Sequence, residues 1–482
     1  MRAVLISTYD LGRQPFGLAS PAAFLRRAGC EVTCADLTRT RLPEDAVRGA
    51  GLVAWYLPMH TATRLALPVI GRVRALNPGA HLCAYGLYAP LNAALLRGHG
   101  VETVLGPEFE PALVELAEAL ASGAPDLKVR PTNDGTVGRI SDADAGRTSD
   151  AELDVGRTFR SGASGPAAGL TRVAFIQPDR SDLPPLTKYA SLQVGTTRRT
   201  AGYTEATRGC KHRCRHCPIV PVYDGRFRAV PADVVLADVR AQAAAGAQHI
   251  TFGDPDFFNG PSHALAIVTA LARDCPGVSY DVTIKVEHLR THAGLLPVLR
   301  DTGCAFVTTA VESFEDEVLE QLRKGHTHAD FQAVVAHCAS IGLPLSPTFV
   351  AFTPWTTIDG YIAMLREIDR LALTGSVAPI QYAIRLLVPD GSLMLELEAV
   401  RDRISRFDPR SLTHVWQHAD LRVDALQQAI ERFVGSRLNA PRDEVFARVW
   451  TLAHEAAGLA APSRDLLPSR ATIPYLNEPW YC

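Results

Sequence analysis

Three cysteines in this 482-residue chain have the type and spacing to do chemistry. Cys210, Cys214 and Cys217 lie in the run Glu205-Ala-Thr-Arg-Gly-Cys210-Lys-His-Arg-Cys214-Arg-His-Cys217-Pro218, a Cys-x3-Cys-x2-Cys spacing with His216 just before the last. Thiolates at this spacing suit three irons of a [4Fe–4S] cluster. The fourth iron is then open to a ligand, and that open corner makes such a site catalytic rather than merely electron-storing. The competing reading is a structural zinc site. Zinc wants four ligands, usually in two pairs, and would recruit His212 or His216.

A loop of this kind must be held by a scaffold, and the flanking sequence reads as one. Six βα units are expected across residues 201–390. Their strands are Tyr203–Thr207, Gln248–Phe252, Ser279–Val286, Ala305–Val311, Leu345–Phe352 and Pro379–Leu386. The intervening helices include Pro231–Ala245, with proline at its start, Ser262–Arg273, Glu315–Leu322, Ala329–Ser340 and Ile358–Leu371. In barrels of such units chemistry belongs at the carboxyl ends of strands, and the cysteines follow the first strand.

Residues 1–125 read as five further βα units. Strands are expected at Ala3–Ser7, Glu31–Asp36, Leu52–Leu57, His81–Tyr85 and Val101–Leu105. Helices follow at Pro21–Ala28, Glu44–Arg48, Ala62–Leu76, Pro90–Arg97 and Pro111–Ala121, with Asn77-Pro78-Gly79 as a stop signal. Five such units imply a doubly wound parallel sheet, which binds ligands beyond the carboxyl ends of its strands. That rim carries Thr8–Leu11, Met59–Thr61, Gly86–Tyr88 and Gly106. Residues 126–200 form a linker and lead-in segment. Its first part is rich in Gly, Ser, Asp and Arg and expected to be mobile; order is expected to resume at Val173. Residues 391–482 read as a helical cap, with helices at Leu393–Ser405, Val423–Phe433 and Pro441–Ala457.

Composition sets outer bounds. Hydrophobic content of 47% and charged content of 21% are ordinary for a globular protein. A net charge of −2 offers no bulk attraction to nucleic acid. No run of about 18 apolar residues suggests a membrane span, and the N-terminus lacks a signal-peptide pattern. Ten cysteines at irregular spacing suit a reducing cytoplasm.

The cysteine run resembles the signature of radical S-adenosylmethionine (SAM) enzymes, and a five-unit domain ahead of the core resembles the cobalamin-binding subclass. The resemblance implies a flavodoxin-like domain, a partial (β/α)6 barrel, a [4Fe–4S] cluster and SAM. It also implies an electron donor such as flavodoxin or ferredoxin and a small-molecule substrate, with no nucleic acid or membrane partner. It raises cobalamin as a further cofactor. The subclass motif that places a histidine on cobalt is absent, since Asp10-Leu11-Gly12-Arg13-Gln14 follows the first strand. The domain either binds cobalamin without a protein ligand to cobalt or has lost the cofactor.

Later motifs extend the resemblance. Gly253, Asp254 and Asp256 occupy the place of the family's Gly-Gly-Glu motif, where a carboxylate accepts from the SAM ammonium. Glu312 and Ser313 are similar to the family's Gly-x-Glu-Ser stretch and imply contacts to the ribose and amino acid parts of SAM. Thr348 is expected to help bracket adenine, and Gln381 to bind cofactor. Lys285 is a candidate catalytic residue, against a solvated strand end. Arg385 faces the substrate or forms a barrel salt bridge. The tail Ile473-Pro-Tyr-Leu-Asn-Glu478-Pro-Trp-Tyr-Cys482 resembles that of a radical SAM group ending in Cys-Cys-Ala-Glu-Pro or Cys-selenocysteine-Ala-Glu-Pro. This makes Cys482 a candidate soft-element ligand or hydrogen-atom donor, and suggests a reading frame cut at a selenocysteine codon. Two other classes compete: a non-catalytic iron–sulfur carrier or redox sensor, and a metal-binding regulatory module. Neither accounts for Gly253–Asp256, Glu312–Ser313 or six βα units.

Overall fold

Near-continuous apolar runs in the first part of the chain become strands buried on both faces, as parallel sheets require. In the computed structural model, which describes residues 1–123, 173–438, 440–463 and 473–477, these are β1 (Arg2–Ser7), β2 (Glu31–Asp36), β3 (Leu52–Tyr56), β4 (His81–Tyr85) and β5 (Thr103–Leu105). They pair in the order β2-β1-β3-β4-β5, all parallel, which is the flavodoxin-like doubly wound order. Helices Phe16–Arg27 and Glu110–Ser122 cover one face, and His60–Leu76 the other. The first helix begins at Phe16, not Pro21. Pro21 lies inside it and cannot donate to the Gly17 carbonyl, which accepts instead from the Tyr85 hydroxyl at 2.8 Å. Asn77 ends the third helix, its side-chain amide donating to the carbonyls of Val47 and Ala50.

The second sheet carries the cysteines. Its parallel strands are β7 (Thr197–Thr204), β10 (His249–Phe252), β11 (Ser279–Thr283), β12 (Cys304–Glu312) and β13 (Leu345–Phe349), extended at one edge by antiparallel β6 (Ser191–Val194). The short β8 (Thr207–Gly209) and β9 (Phe227–Ala229) pair apart from it. Helices such as Ala232–Ala244, Pro261–Asp274, His328–Ile341 and Ile358–Arg370 pack outside this curled half-barrel around one large core. The sixth strand expected at Pro379–Leu386 is replaced by a 3-10 turn, Pro379–Tyr382, and a single bridge between Phe352 and Arg385. Pro379 has no N–H to give a ladder, and the Gln381 side chain takes the ladder's place, accepting from the Phe349 N–H at 2.9 Å.

The C-terminal region departs from an all-helical cap. The expected helix Leu393–Ser405 breaks into two short turns, Leu393–Glu396 and Glu398–Arg401, followed by a hairpin of β14 (Ile404–Asp408) and β15 (Thr413–Trp416). Helices Leu421–Gly435 and Arg442–Ala456 then pack on the barrel. Residues Tyr475–Leu476 add β16 to β6 at the sheet edge. Cys482 and most of the low-complexity linker lie outside the described residues.

Candidate catalytic centre

The cysteine loop leaves β7 and is pinned at its base from three sides. Asp254, just past β10, accepts from the Ala206 N–H at 2.9 Å and the Thr207 hydroxyl at 2.6 Å. The Asn259 amide donates to the Gly209 carbonyl, and its oxygen accepts from the Lys211 N–H. Further along, Arg215 donates to the Gln321 carbonyl, and its own N–H bonds the Leu322 carbonyl. Cys210, Cys214 and Cys217 are free thiols, Cys214 buried and the others half-buried. The Cys217 N–H donates to the Cys214 carbonyl at 3.1 Å.

Burial pushes the Cys210 thiol up to about 11 and the Cys217 thiol to about 12. Thiolates here need nearby positive charge, and Lys285 stands close to Cys210 while Lys324 stands close to Cys217. Three thiols on one pinned loop, flanked by cations, fit a cluster that carries thiolate charge. Lys285 also bonds Glu287 at 2.9 Å, so it is a buried, paired lysine beside the cluster loop rather than a solvated strand end.

Glu312 ties the far side of the loop to the barrel. It ends β12 at φ 69°, where the β12–β13 register slips, a left-handed conformation that is uncommon for a residue other than glycine. Its carboxylate is buried and accepts from His216 at 3.1 Å and Lys324 at 3.2 Å. Burial opposes its charge, but Lys324 and then His216 outweigh it and hold the carboxyl down at about 2. On the other side, His212 and His288 converge on Asp256. Burial opposes the Asp256 charge as well, yet the two facing imidazoles hold its carboxyl at about 2.

The expected SAM residues divide between two cavities. Gly253, Asp254, Thr348 and Gln381 line one of about 260 Å³ inside the half-barrel, which Tyr475 and Leu476 of the tail also line. Glu312 and Ser313 line another of about 290 Å³, with Thr353 and the helix Ile358–Arg370. Asp256 belongs to neither lining, turning instead to its histidines. Of the two roles open to Arg385, the contacts show an ion pair: its guanidinium donates to Asp424 at 2.7 Å and the Trp416 carbonyl at 2.9 Å, and lies 3.5 Å over the Trp416 ring. This is the salt bridge from barrel to cap.

A third cavity, about 350 Å³, opens between the two sheets. From the first domain it takes Asp10, Leu11, Pro58, Met59, Gly86 and Leu87, at the carboxyl ends of β1, β3 and β4. From the barrel it takes Tyr203, Arg208, Gly209, Ile219, Gly253 and Thr283. The crevice between β1 and β3 is the switch point of this sheet order, where ligands bind. Two tyrosines shape it by resting on glycines: a Cβ on Gly17 would fall 2.2 Å from the Tyr56 ring, and one on Gly253 would fall 1.7 Å from the Tyr203 hydroxyl oxygen. His60 is elsewhere, bonded to the Ser411 carbonyl.

Sequence reasoning gave no role to several residues that hold this centre. Arg208 is fully enclosed, donating to Glu110 at 2.6 and 2.9 Å and to Glu205 at 2.9 Å. The rings of Phe16, Phe109 and Phe175 surround it at 5.1–5.7 Å. Tyr223 donates to Glu108 beside them. These contacts bind the first domain to the strand that delivers Cys210, and nothing local in the sequence signals them. The sequence alone gives Lys324 no role, and it offers His212 and His216 only as zinc ligands.

Comparison with known proteins agrees with this geometry. Residues 204–360 match the family model of the radical SAM superfamily. The chain is 30% identical over 196 residues to a ribosomal protein uS12 methylthiotransferase RimO of Parabacteroides distasonis, covering 37% of this chain and 43% of that protein. It is 24% identical over 225 residues to a tRNA-2-methylthio-N(6)-dimethylallyladenosine synthase of Halorhodospira halophila, covering 44% and 47%. The chain thus spans under half the length of these curated relatives. In fold it resembles the radical SAM methyltransferase TsrM of Kitasatospora setae, solved with cobalamin and a [4Fe–4S] cluster (TM-score 0.58, 19% identity, 82% of this chain and 74% of that one). It also resembles OxsB, a cobalamin-dependent SAM radical enzyme solved with aqua-cobalamin (TM-score 0.68, 13% identity, 91% and 67%). With its cysteine loop at the end of the first barrel strand and its match over residues 204–360, the chain carries a radical SAM domain, a domain that implies a [4Fe–4S] cluster and SAM.

Proposed function

We propose that this enzyme modifies a small metabolite in the cavity between its two sheets, by methyl transfer assisted by cobalamin. The observation that carries the reading is the cavity itself, lined from one side by the switch point of the first sheet and from the other by the residues that precede Cys210. When bound, the cluster supplies the electron that cleaves SAM to methionine and a 5′-deoxyadenosyl radical, and cobalamin supplies a methyl carrier. Cys210, Cys214 and Cys217 hold the cluster. Gly253, Asp254, Thr348 and Gln381 position SAM within the half-barrel, with Glu312 and Ser313 on the neighbouring wall. Lys285 and Lys324 balance the thiolate charge. Pro58, Met59, Gly86 and Leu87 would give a flat macrocycle an apolar wall to rest on. The relatives named above modify, by their names, a ribosomal protein and a tRNA; the net charge of −2 and a cavity of about 350 Å³ favour a small molecule here. A flavodoxin or ferredoxin is the electron donor expected for this chemistry.

A second reading rests on size. About 350 Å³ lies at the low end of ligand pockets, room for a metabolite alone. The 5′-deoxyadenosyl radical then abstracts hydrogen from that metabolite or adds to it. Equilibrium dialysis of the reconstituted enzyme against hydroxocobalamin separates the two. Retention of one cobalamin per chain, lost on Met59→Trp, supports the first reading; no retention supports the second.

A further inference from the structure

Beside the cysteine loop three side chains from three segments converge, among them Asp256, which is expected at SAM but lines neither of the two cavities described above. His212 comes from the loop between the first two cysteines, Asp256 from the turn after β10, and His288 from the short helix after β11. One potential ligand atom from each lies within 4.8 Å of the other two. His212 Nε2 is 3.2 Å from His288 Nε2 and 3.5 Å from Asp256 Oδ2. Ligands at about 2.0–2.2 Å around a tetrahedral cation lie roughly 3.4 Å apart, so these separations are those of a coordination polyhedron's edges.

The polar accounting points the same way. Asp256 and His288 are 1% and 4% exposed. Asp256 Oδ2 and His288 Nδ1 are 2.7 Å apart, yet neither makes an aligned hydrogen bond. Each imidazole has a carboxylate near its Nδ1: Glu287 at 3.5 Å from that of His212, and Asp256 at that of His288. The two Nε2 atoms face each other at 3.2 Å in a part-buried site. A cation between them satisfies the orphaned Asp256 oxygen.

We infer that His212, Asp256 and His288 form a mononuclear site for a divalent first-row cation of the zinc or iron(II) class, separate from the cluster. Two imidazoles and one carboxylate are a donor set for such ions, with a coordination position left open. Asp256 Oδ1 already accepts from the Phe258 N–H at 3.2 Å, so the ligand is held in place. The bound ion would fasten the segment between Cys210 and Cys214 to the ends of two barrel strands. The inference does not depend on the substrate or on cobalamin.

The test is zinc titration of the anaerobically reconstituted enzyme, with its cluster in place, followed by desalting and metal counting. One zinc per chain is expected beyond the cluster iron. X-ray absorption at the zinc edge should show a nitrogen and oxygen shell near about 2.0–2.1 Å, imidazole scattering and no sulfur shell near about 2.3 Å. Asp256→Asn and His288→Gln should each weaken zinc at least tenfold, with iron counted in the same samples so that cluster loss is seen separately. No retained zinc, a sulfur shell, or unchanged affinity in both variants would overturn the site; a proton shared between the histidines would then explain their approach. If neither variant folds, the wild-type edge spectrum alone decides.

Discussion

Replacing Arg208 should show how the two domains are held in register. The guanidinium is 6% exposed and Glu110 is fully buried; between them run two charge-assisted hydrogen bonds of 2.6 and 2.9 Å, with a third to Glu205. Arg208→Met removes the cation and leaves Glu110, Glu205 and Glu108 buried together. Stranding a buried charge costs about 3–5 kcal/mol, and that is the loss expected in urea unfolding at pH 7.5. Glu110→Gln should cost less, about 1–3 kcal/mol, because Glu205 still pairs with Arg208. The double variant should be at least about 1 kcal/mol more stable than the sum of the two predicts, as residues in contact do not add. The Arg208→Met penalty should also shrink on acidification. Carboxyls whose folded pKa is raised contribute stability that is present at low pH and lost as pH rises. A loss under about 1 kcal/mol, strictly additive energies, or a penalty that grows on acidification would refute the clamp.

Two further perturbations probe the loop and its base. Gly253→Ala places a Cβ 1.7 Å from the Tyr203 hydroxyl oxygen. It should lower stability by about 1–3 kcal/mol through overpacking, and Tyr203→Phe in the same chain should recover part of that; calorimetric melting of the three proteins checks both. Burial, reinforced by Glu205, raises the Asp254 carboxyl to about 7, against about 3.9 when unfolded. Its stabilising contribution is therefore complete below about pH 4 and is lost as pH rises through 7. Relative to wild type, Asp254→Asn should gain up to about 4 kcal/mol between pH 4 and pH 8, measured by unfolding of cluster-free protein; a pH-independent difference would sink this reading.

The parts legible in the sequence are those written locally. The cysteine spacing is a single run, and the strands Glu31–Asp36 and His81–Tyr85 and the helix Glu44–Arg48 fall where their apolar patterns put them. Residues at strand ends were legible as a class: Asp10, Leu11, Met59, Gly86 and Leu87 all face the interdomain cavity. The sixth barrel strand misled because Ile380–Leu386 has strand-like composition, whereas proline and a side-chain substitute for the ladder decide its conformation. The hairpin of β14 and β15 is missed for the opposite reason: a helical period in the preceding residues is carried over Ile404–Ser405, and the sequence offers no strand signal at Thr413–Trp416. The polar framework could not be read at all. Arg208 and Glu110 are 98 residues apart, and His216 and Glu312 are 96 apart. Such pairs are made by topology, and topology has no local period.

The central claim is that Cys210, Cys214 and Cys217 hold a cluster that cleaves SAM. The most direct measurement is production of 5′-deoxyadenosine by anaerobically purified, iron- and sulfide-reconstituted protein given dithionite and SAM, beside a Cys214→Ala control. The account predicts 5′-deoxyadenosine and methionine from the wild type and none from the control. A four-iron cluster in the wild type that leaves SAM intact, with or without added cobalamin, would contradict it and favour an electron carrier. Zinc bound by the three thiols in place of iron would contradict it outright.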